Sequence, residues 1–195
     1  MLYIISMDLA EKLSCKPQFV SPTTVLSGLG LTNGMSVIDY ASGAGHWSLA
    51  AAKLVAPKGK VLAIENNINM LNMVKSRAET EKVSNLEIEE IELETGTSKL
   101  AKPSDLVIVS NILHLIKDKK TFVEKSVKML SAKGKLLFID WVQSETLFGP
   151  PLELRMSSEQ TITLFEKAGL KLLETVDTGA DHFGLVFIHE GDKVE

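Results

Sequence analysis

Residues 37–65, VIDYASGAGHWSLAAAKLVAPKGKVLAIE, constrain the fold more than any other stretch of this chain. A short apolar run at 37–38 ends on Asp39 and predicts a buried strand with an acid at its carboxyl end. The loop at 42–45 has only small side chains, so a ligand can approach its backbone closely. An Ala- and Leu-rich segment at 46–56 then predicts a helix.

A second apolar run, residues 61–64, follows the Pro- and Gly-containing break at 57–59 and ends on Glu65. Two strands joined through a helix lie side by side and parallel in a sheet. Their carboxyl ends then meet at one crevice, where sheets of this kind bind ligands. We therefore expect the small-residue loop and Glu65 to face the same crevice.

The rest of the chain alternates apolar runs with helical segments, which predicts a parallel sheet. The further predicted strands are residues 86–91, 105–110, 136–140, 170–176 and 183–189. The further predicted helices are residues 23–29, 66–80, 119–130 (ended by 132–134) and a last one from Ser157 or Ser158 to 168. The connection at 177–181 is short and contains Gly179, so the last two strands should form an antiparallel hairpin.

Composition limits the possible classes of protein. A length of 195 residues with 45% apolar residues suits one α/β domain with a full core. The formal net charge of −4 argues against broad electrostatic capture of nucleic acid. A single cysteine, Cys15, cannot form an internal disulfide, which fits a cytoplasmic location. We expect neither a signal peptide nor a membrane span, because no apolar stretch has the length or flanks of one.

The acid–loop–acid pattern resembles the first motif of the class I S-adenosylmethionine-dependent methyltransferases. The matching residues are Asp39, Gly43, Gly45 and Glu65, whereas Ala41 stands where that family usually has its first glycine. Alanine adopts a positive φ less readily than glycine, but it is nearly as small, so we expect it to be tolerated. The segments GPPLELRMSSEQ, KAGL and DHFGLVF are similar to the small ubiquinone and menaquinone C-methyltransferase-like (type 11) group.

The resemblance implies a doubly wound, Rossmann-like α/β fold with a seven-stranded sheet, mostly parallel with an antiparallel C-terminal hairpin. It implies a single domain, residues 1–195, with a helical lead-in at 1–33 and a cofactor-binding core at 34–142. Residues 143–195 then supply a substrate-side loop, a helix and the hairpin. The lead-in either closes over the cofactor or simply covers the sheet edge.

The resemblance also implies S-adenosyl-L-methionine as the cofactor. Glu65 would accept hydrogen bonds from both ribose hydroxyls. The alternative is that Glu65 is a strand-end acid that faces solvent. Asp39 would orient the loop through its N–H groups or meet the methionine amine through water, and the Ser110 carbonyl is a candidate partner of that amine. Glu92 is a candidate partner of the adenine amino group, and the sequence favours neither this role nor its absence. The expected cofactor-binding residues are Asp39, Ala41, Ser42, Gly43, Gly45, Glu65, Asn66, Glu92, Ser110 and Asn111.

The acceptor side has weaker signals. His114 is a candidate general base, with a packed or capping histidine as the alternative. Trp141 and Phe148 offer apolar surfaces to a substrate, and Arg155 suits a substrate carboxylate or phosphate. Pairing of Arg155 with an acid such as Glu153 is an equal alternative. No His, Cys or carboxylate spacing is typical of a metal site.

Methyl transfer to a small-molecule acceptor is the function these patterns favour, because it depends mainly on proximity and orientation rather than on a catalytic triad. The sequence Ser110-Asn111-Ile112-Leu113 lacks the Asn-Pro-Pro-aromatic signature of enzymes that methylate exocyclic amines. Two alternatives stay open. One is a non-catalytic protein with a degenerate cofactor site at Ala41, and the other is an NAD-dependent oxidoreductase, which a reversed final strand would argue against.

Overall fold

The structure, a computed structural model, describes residues 20–191. The first 19 residues of the predicted lead-in lie outside this range. From residue 20 onward, the elements follow the alternation that the sequence predicts. The strands are β1 (Ser36–Tyr40), β2 (Lys60–Glu65), β3 (Leu86–Glu90), β4 (Ser104–Ser110), β5 (Leu130–Trp141), β6 (Leu170–Val176) and β7 (His182–His189). The helices are α1 (Pro22–Gly28), α2 (His46–Val55), α3 (Ile68–Thr80), α4 (Lys119–Lys128) and α5 (Ser158–Glu166), with a 3₁₀ turn at Leu152–Leu154.

The seven strands form one sheet in the order β3-β2-β1-β4-β5-β7-β6. Strands β1 to β5 pair in parallel, whereas β7 is antiparallel to both β5 and β6. The predicted fold class is thereby confirmed, including the reversed last strand. Since β7 reverses direction, β6 runs parallel to β5 and ends at the same edge as the first five strands.

Two apolar layers cover the sheet. One contains the stacked rings of Tyr40 and Phe122, whose centroids are 4.7 Å apart. The other packs α1 and α2 on the opposite face, around residues such as Leu26 and Ala52. Apolar residues covered on both faces explain why the central strands read as nearly continuous apolar runs.

The first turns of α3 and α5 are fixed by side-chain caps. The side chain of Asn67 accepts a hydrogen bond from the Asn69 N–H, and Ser157 forms a capping box with Gln160. Capping of this kind satisfies N–H groups that a helix start leaves without partners. The sequence therefore places these helix starts to within two residues.

One predicted boundary is wrong. Residues 132–134 were expected to end a helix, but α4 ends at Lys128 and these residues belong to β5. A side chain at Gly134 would lie 2.7 Å from the Ser104 carbonyl oxygen, so this glycine permits close strand approach rather than a helix stop. The register of β4 against β5 shifts at the same place, between Ser104 and Leu106.

No helix within residues 20–191 combines the length and apolar content needed to cross a membrane.

Candidate active site

A cavity of about 790 Å³ opens along the carboxyl edge of the sheet. Under the ends of β1, β2 and β3 it is lined by Ala41, Ser42, Gly43, Ala44, Glu65, Asn66, Asn67, Met70, Glu92 and Leu93. In the middle it is lined by Ser110, Asn111, Ile112, Leu115 and Ile116. Toward β5, β7 and the entry to α1 it is lined by Val20, Pro22, Trp47, Ile139, Thr178 and His182. Its volume falls within the usual range for ligand pockets, roughly 300–1,000 Å³.

The loop after β1 has left-handed backbone at three positions, Ala41 (φ 70°), Gly43 (φ 51°) and Gly45 (φ 76°). The Ala41 and Ser42 N–H groups both donate to the Ile64 carbonyl, which holds the loop against the end of β2. A side chain at Gly45 would lie 2.9 Å from Val74, so this glycine also allows α2 and α3 to pack closely. Position 41 therefore does require the conformation that alanine adopts only at a cost.

Glu65 is 7% exposed and lines the cavity. Its Oε2 accepts a hydrogen bond from the Gly43 N–H at 2.9 Å. Its Oε1 accepts from the N–H groups of Asn66, at 2.9 Å, and Asn67, at 3.1 Å. The carboxylate thus joins the small-residue loop to the start of α3, and it retains acceptor capacity toward the cavity because its two oxygens offer about four lone-pair sites.

Asp39 lies behind the loop and is not among the lining residues. Its Oδ2 accepts a hydrogen bond from the Ser48 hydroxyl at 2.5 Å, while Oδ1 has no hydrogen-bond partner among the described residues. Burial raises the pKa of Asp39 to about 7, against the lowering effect of Ser48. The Asp39 carboxyl group therefore anchors α2 through Ser48. The sequence had predicted instead that it would orient the loop through the loop N–H groups.

Eight of the ten expected cofactor-binding residues come together on the cavity wall, and Asp39 and Gly45 lie behind it. Asn111 has a left-handed backbone, φ 54°, which asparagine tolerates better than most residues. Its N–H donates to the Ile139 carbonyl, so the end of β4 is tied to β5 beneath the cavity. The Ser42 hydroxyl is buried without a hydrogen-bond partner in the described part of the chain.

His114 is not at the cavity wall. Its Nδ1 lies 3.7 Å from Asp140 Oδ1, and both side chains are largely buried. The Asp140 oxygen also accepts the Trp141 N–H at 2.9 Å. The structure therefore favours the packed-histidine alternative for His114 over a general base.

Trp141, Phe148 and Arg155 do not line the cavity either. Arg155 is 8% exposed, and its guanidinium carbon lies 5.4 Å from the centre of the Trp141 ring system. All five of its N–H donors are used within the loop before it. They bond the carbonyls of Pro150, Val142, Ser144 and Phe148 and the hydroxyl of Thr146. Arg155 thus holds this loop together instead of facing a substrate or Glu153, and Phe148 is 67% exposed.

The sequence reasoning missed several polar residues that line the cavity, and Thr178 and His182 are the two at its acceptor end. Thr178 lies on the connection between β6 and β7, and His182 is the first residue of β7. The centroids of the His182 and Trp141 rings are 4.2 Å apart. Burial lowers the pKa of His182 below its ordinary value, against Asp140 and Asp181, which raise it. The predicted hairpin could have indicated these two residues. If β6 is parallel to the core strands, the β6–β7 connection must lie at the carboxyl edge of the sheet.

Replacement of Ala41 by glycine should stabilise the protein. The left-handed backbone costs a residue with a side chain about 1–2 kcal/mol, of which glycine's freedom in the unfolded chain offsets about 0.4–1 kcal/mol. We expect a higher free energy of unfolding in urea, with unchanged or tighter cofactor binding. Gly45→Ala is the matched control and should destabilise the protein. A less stable Ala41→Gly variant would contradict the loop conformation.

The comparisons with known proteins agree with this geometry. A family model described as a methyltransferase domain matches residues 31–177. A solved structure of a SAM-dependent methyltransferase from Aquifex aeolicus superposes with a TM-score of 0.77 and 28% identity, covering 87% of this chain and 89% of that one.

Curated relatives match a shorter part. The demethylmenaquinone methyltransferase of Lactococcus lactis subsp. lactis is 26% identical over 113 residues, which are 57% of this chain and 44% of the relative. That of Oceanobacillus iheyensis is 27% identical over 120 residues, 60% of this chain and 48% of the relative. The matches thus span less than half the length of these relatives.

Proposed function

Because this chain belongs to the methyltransferase domain family and uses S-adenosylmethionine as its cofactor, we propose that it methylates a small-molecule acceptor. The acceptor would lie at the end of the cavity formed by β5, β7 and the entry to α1. The single observation that carries this proposal is the continuity of one cavity from Glu65 to His182.

The residues present fit the cofactor. S-adenosylmethionine, when bound, supplies a methyl carbon that its positive sulfur has already activated. Glu65 would accept the ribose hydroxyls, and Glu92 would face the adenine amino group. The Ser42 hydroxyl, which has no partner within residues 20–191, and the Ser110 carbonyl would bind the methionine portion. Ala41 reaches the left-handed conformation of the loop, so it does not by itself imply a degenerate site.

The acceptor end of the cavity favours a small organic molecule. Its wall combines the Trp47 indole with Val20, Pro22 and Ile139, and such a wall buries apolar surface and excludes water. Holding an acceptor in line with the methyl group can supply about 7–11 kcal/mol of the barrier through proximity and orientation. The relatives named for demethylmenaquinone are consistent with a small acceptor, and the net charge of −4 gives no support to nucleic acid.

The proposal also includes the domain organisation and the cellular location. We take residues 1–195 as a single domain, in which the cavity holds cofactor and acceptor together. The single cysteine fits a reducing cytoplasm.

Incubation with methyl-labelled S-adenosylmethionine and a cell extract tests the proposal. We expect label in the low-mass fraction, and we expect none there with the Glu65→Ala variant. Label confined to protein or nucleic acid would overturn the small-molecule acceptor. Binding of S-adenosylhomocysteine without any label transfer would instead favour the non-catalytic alternative.

A further inference from the structure

A closed turn forms the cavity wall where β3 ends. Glu92, Leu93 and Glu94 all line the cavity there. The Gly96 N–H donates to the Glu92 carbonyl at 2.7 Å, which closes residues 92–96 into a single α-turn. A Cβ atom at position 96 would lie 2.5 Å from that carbonyl oxygen, so the closed turn requires glycine at this position.

Tyr40, the last residue of β1, holds this turn through a buried hydroxyl. The hydroxyl donates to the Leu93 carbonyl at 2.5 Å, and the Tyr40 side chain is fully buried. The ring stacks on Phe122 of α4, so it has little freedom to move. Burial raises the pKa of Tyr40 above its usual range, and Glu92 acts in the same direction. The hydroxyl therefore keeps its proton at neutral pH and remains a donor.

Lys125 of α4 holds the same turn from a second element. Its Nζ donates to the Glu94 carbonyl at 2.5 Å and to the Gly96 carbonyl at 2.8 Å. The start of α4 adds another contact, because the Asp118 N–H donates to Glu94 Oε2 at 3.0 Å. Neither Tyr40 nor Lys125 is among the lining residues of the cavity. Any effect of these two side chains on a ligand must therefore pass through the turn.

These hydrogen bonds fix the direction of the peptide groups in the turn. The C=O and N–H of a trans peptide unit point in opposite directions. Because the Leu93 carbonyl bonds the Tyr40 hydroxyl, the Glu94 N–H of the same unit points away from Tyr40. This N–H has no hydrogen-bond acceptor within residues 20–191, and the Glu92 side chain is exposed. The turn therefore offers a ligand one N–H donor and one carboxylate acceptor.

We propose that Tyr40 and Lys125 are positioning residues for the base of the cofactor, and that they hold the turn at 92–96 in the conformation that distinguishes adenine from a 6-oxopurine. This inference rests on the proposed contact between Glu92 and the adenine amino group, and it adds the residues that make this contact selective. Adenine presents an amino donor beside the N1 acceptor. Hypoxanthine presents a carbonyl oxygen beside an N1–H, so each of its groups meets a like group on the turn.

Calorimetric titration with S-adenosylhomocysteine and S-inosylhomocysteine tests the proposal. The two ligands differ only in the base, so the ratio of their Kd values isolates base recognition from the ribose and homocysteine contacts. For the wild type we expect a ratio of about tenfold or more in favour of adenine. Tyr40→Phe and Lys125→Met should each reduce this ratio by about threefold or more. Lys120→Met changes an exposed lysine of the same helix that pairs with Glu124, and it should leave the ratio unchanged.

A double-mutant cycle separates positioning from general support of the fold. Glu92→Ala should itself reduce the ratio, and Lys125→Met added to it should reduce the ratio much less than in the wild-type background, because no carboxylate is left to position. Lys125→Arg, which retains donors for two carbonyls, should keep most of the ratio. A role in stability alone would instead lower Tm and weaken both ligands equally, with the ratio unchanged.

A wild-type ratio near one would overturn the inference, and so would an unchanged ratio in either Tyr40→Phe or Lys125→Met. Both results leave the proposed methyl transfer standing, because transfer is measured separately as label in the low-mass fraction. Conversely, an adenine preference that depends on Tyr40 and Lys125, without any label transfer, would defeat the proposed function and keep this inference.

Discussion

Replacement of Glu65 by alanine is expected to weaken S-adenosylhomocysteine binding about 100-fold. Each hydrogen bond to a charged group is worth about 1.5–3 kcal/mol, and about 1.4 kcal/mol corresponds to tenfold in affinity. The variant loses the proposed ribose contact and also releases the Gly43, Asn66 and Asn67 N–H groups. Calorimetric titration measures the change. Glu65→Gln, which keeps the shape and part of the acceptor capacity, should lose about tenfold.

Two controls separate ligand contact from loop support. Glu90→Ala changes the exposed acid that pairs with Glu65 in register on β3, and it should leave the affinity unchanged. The 2′-deoxy analogue of S-adenosylhomocysteine should bind the wild type more weakly, while Glu65→Ala should no longer distinguish the two ligands. Undiminished affinity in Glu65→Ala would remove Glu65 from the cofactor site.

Replacement of Arg155 by alanine should destabilise the protein by about 2–4 kcal/mol, since it leaves several loop carbonyls without the donors that fill them. Each kcal/mol lowers Tm by roughly 2–4 °C in a domain of this size. Arg155→Lys should be nearly as harmful, because lysine keeps the charge but not the five-donor fork. Thermal unfolding of both variants measures the effect.

Glu153→Ala is the matched control for Arg155 and should leave Tm unchanged, because the guanidinium donors face the loop rather than Glu153. The sequence-based hypothesis that Arg155 binds a substrate carboxylate or phosphate predicts a different result. In that case the Arg155 variants would keep the wild-type Tm and raise the KM for the acceptor.

The sequence determines the strand ends of the first half well. Asp39 and Glu65 close apolar runs, and adjacent parallel strands must bring their carboxyl ends to one crevice. The resemblance to class I methyltransferases of the type 11 group is confirmed, and the reversed β7 argues against the dinucleotide-dependent oxidoreductase, as expected. At position 41 the chain has alanine where the family usually has glycine. The φ of 70° at Ala41 shows that alanine adopts the left-handed conformation there.

The acceptor side could not be derived in the same way. Strand β7 lies between β5 and β6, and this strand order depends on tertiary pairing that local sequence patterns do not specify. The same strand order brings Thr178 and His182 to the cavity. Arg155 looked like a binding residue because a sequence does not show that a loop closes around its own arginine. The sequence indicated His114 as the candidate base and not His182, whereas the structure places His182 at the cavity wall and His114 beside Asp140.

A crystal structure of the complex with S-adenosylhomocysteine would test the assignment of the site most directly. We predict the ribose against the Glu65 carboxylate, the homocysteine portion along Ala41 to Gly43, and the sulfur directed toward the end of the cavity that holds Thr178 and His182. A ligand bound elsewhere, or one bound in this cavity with its ribose away from Glu65, would contradict it.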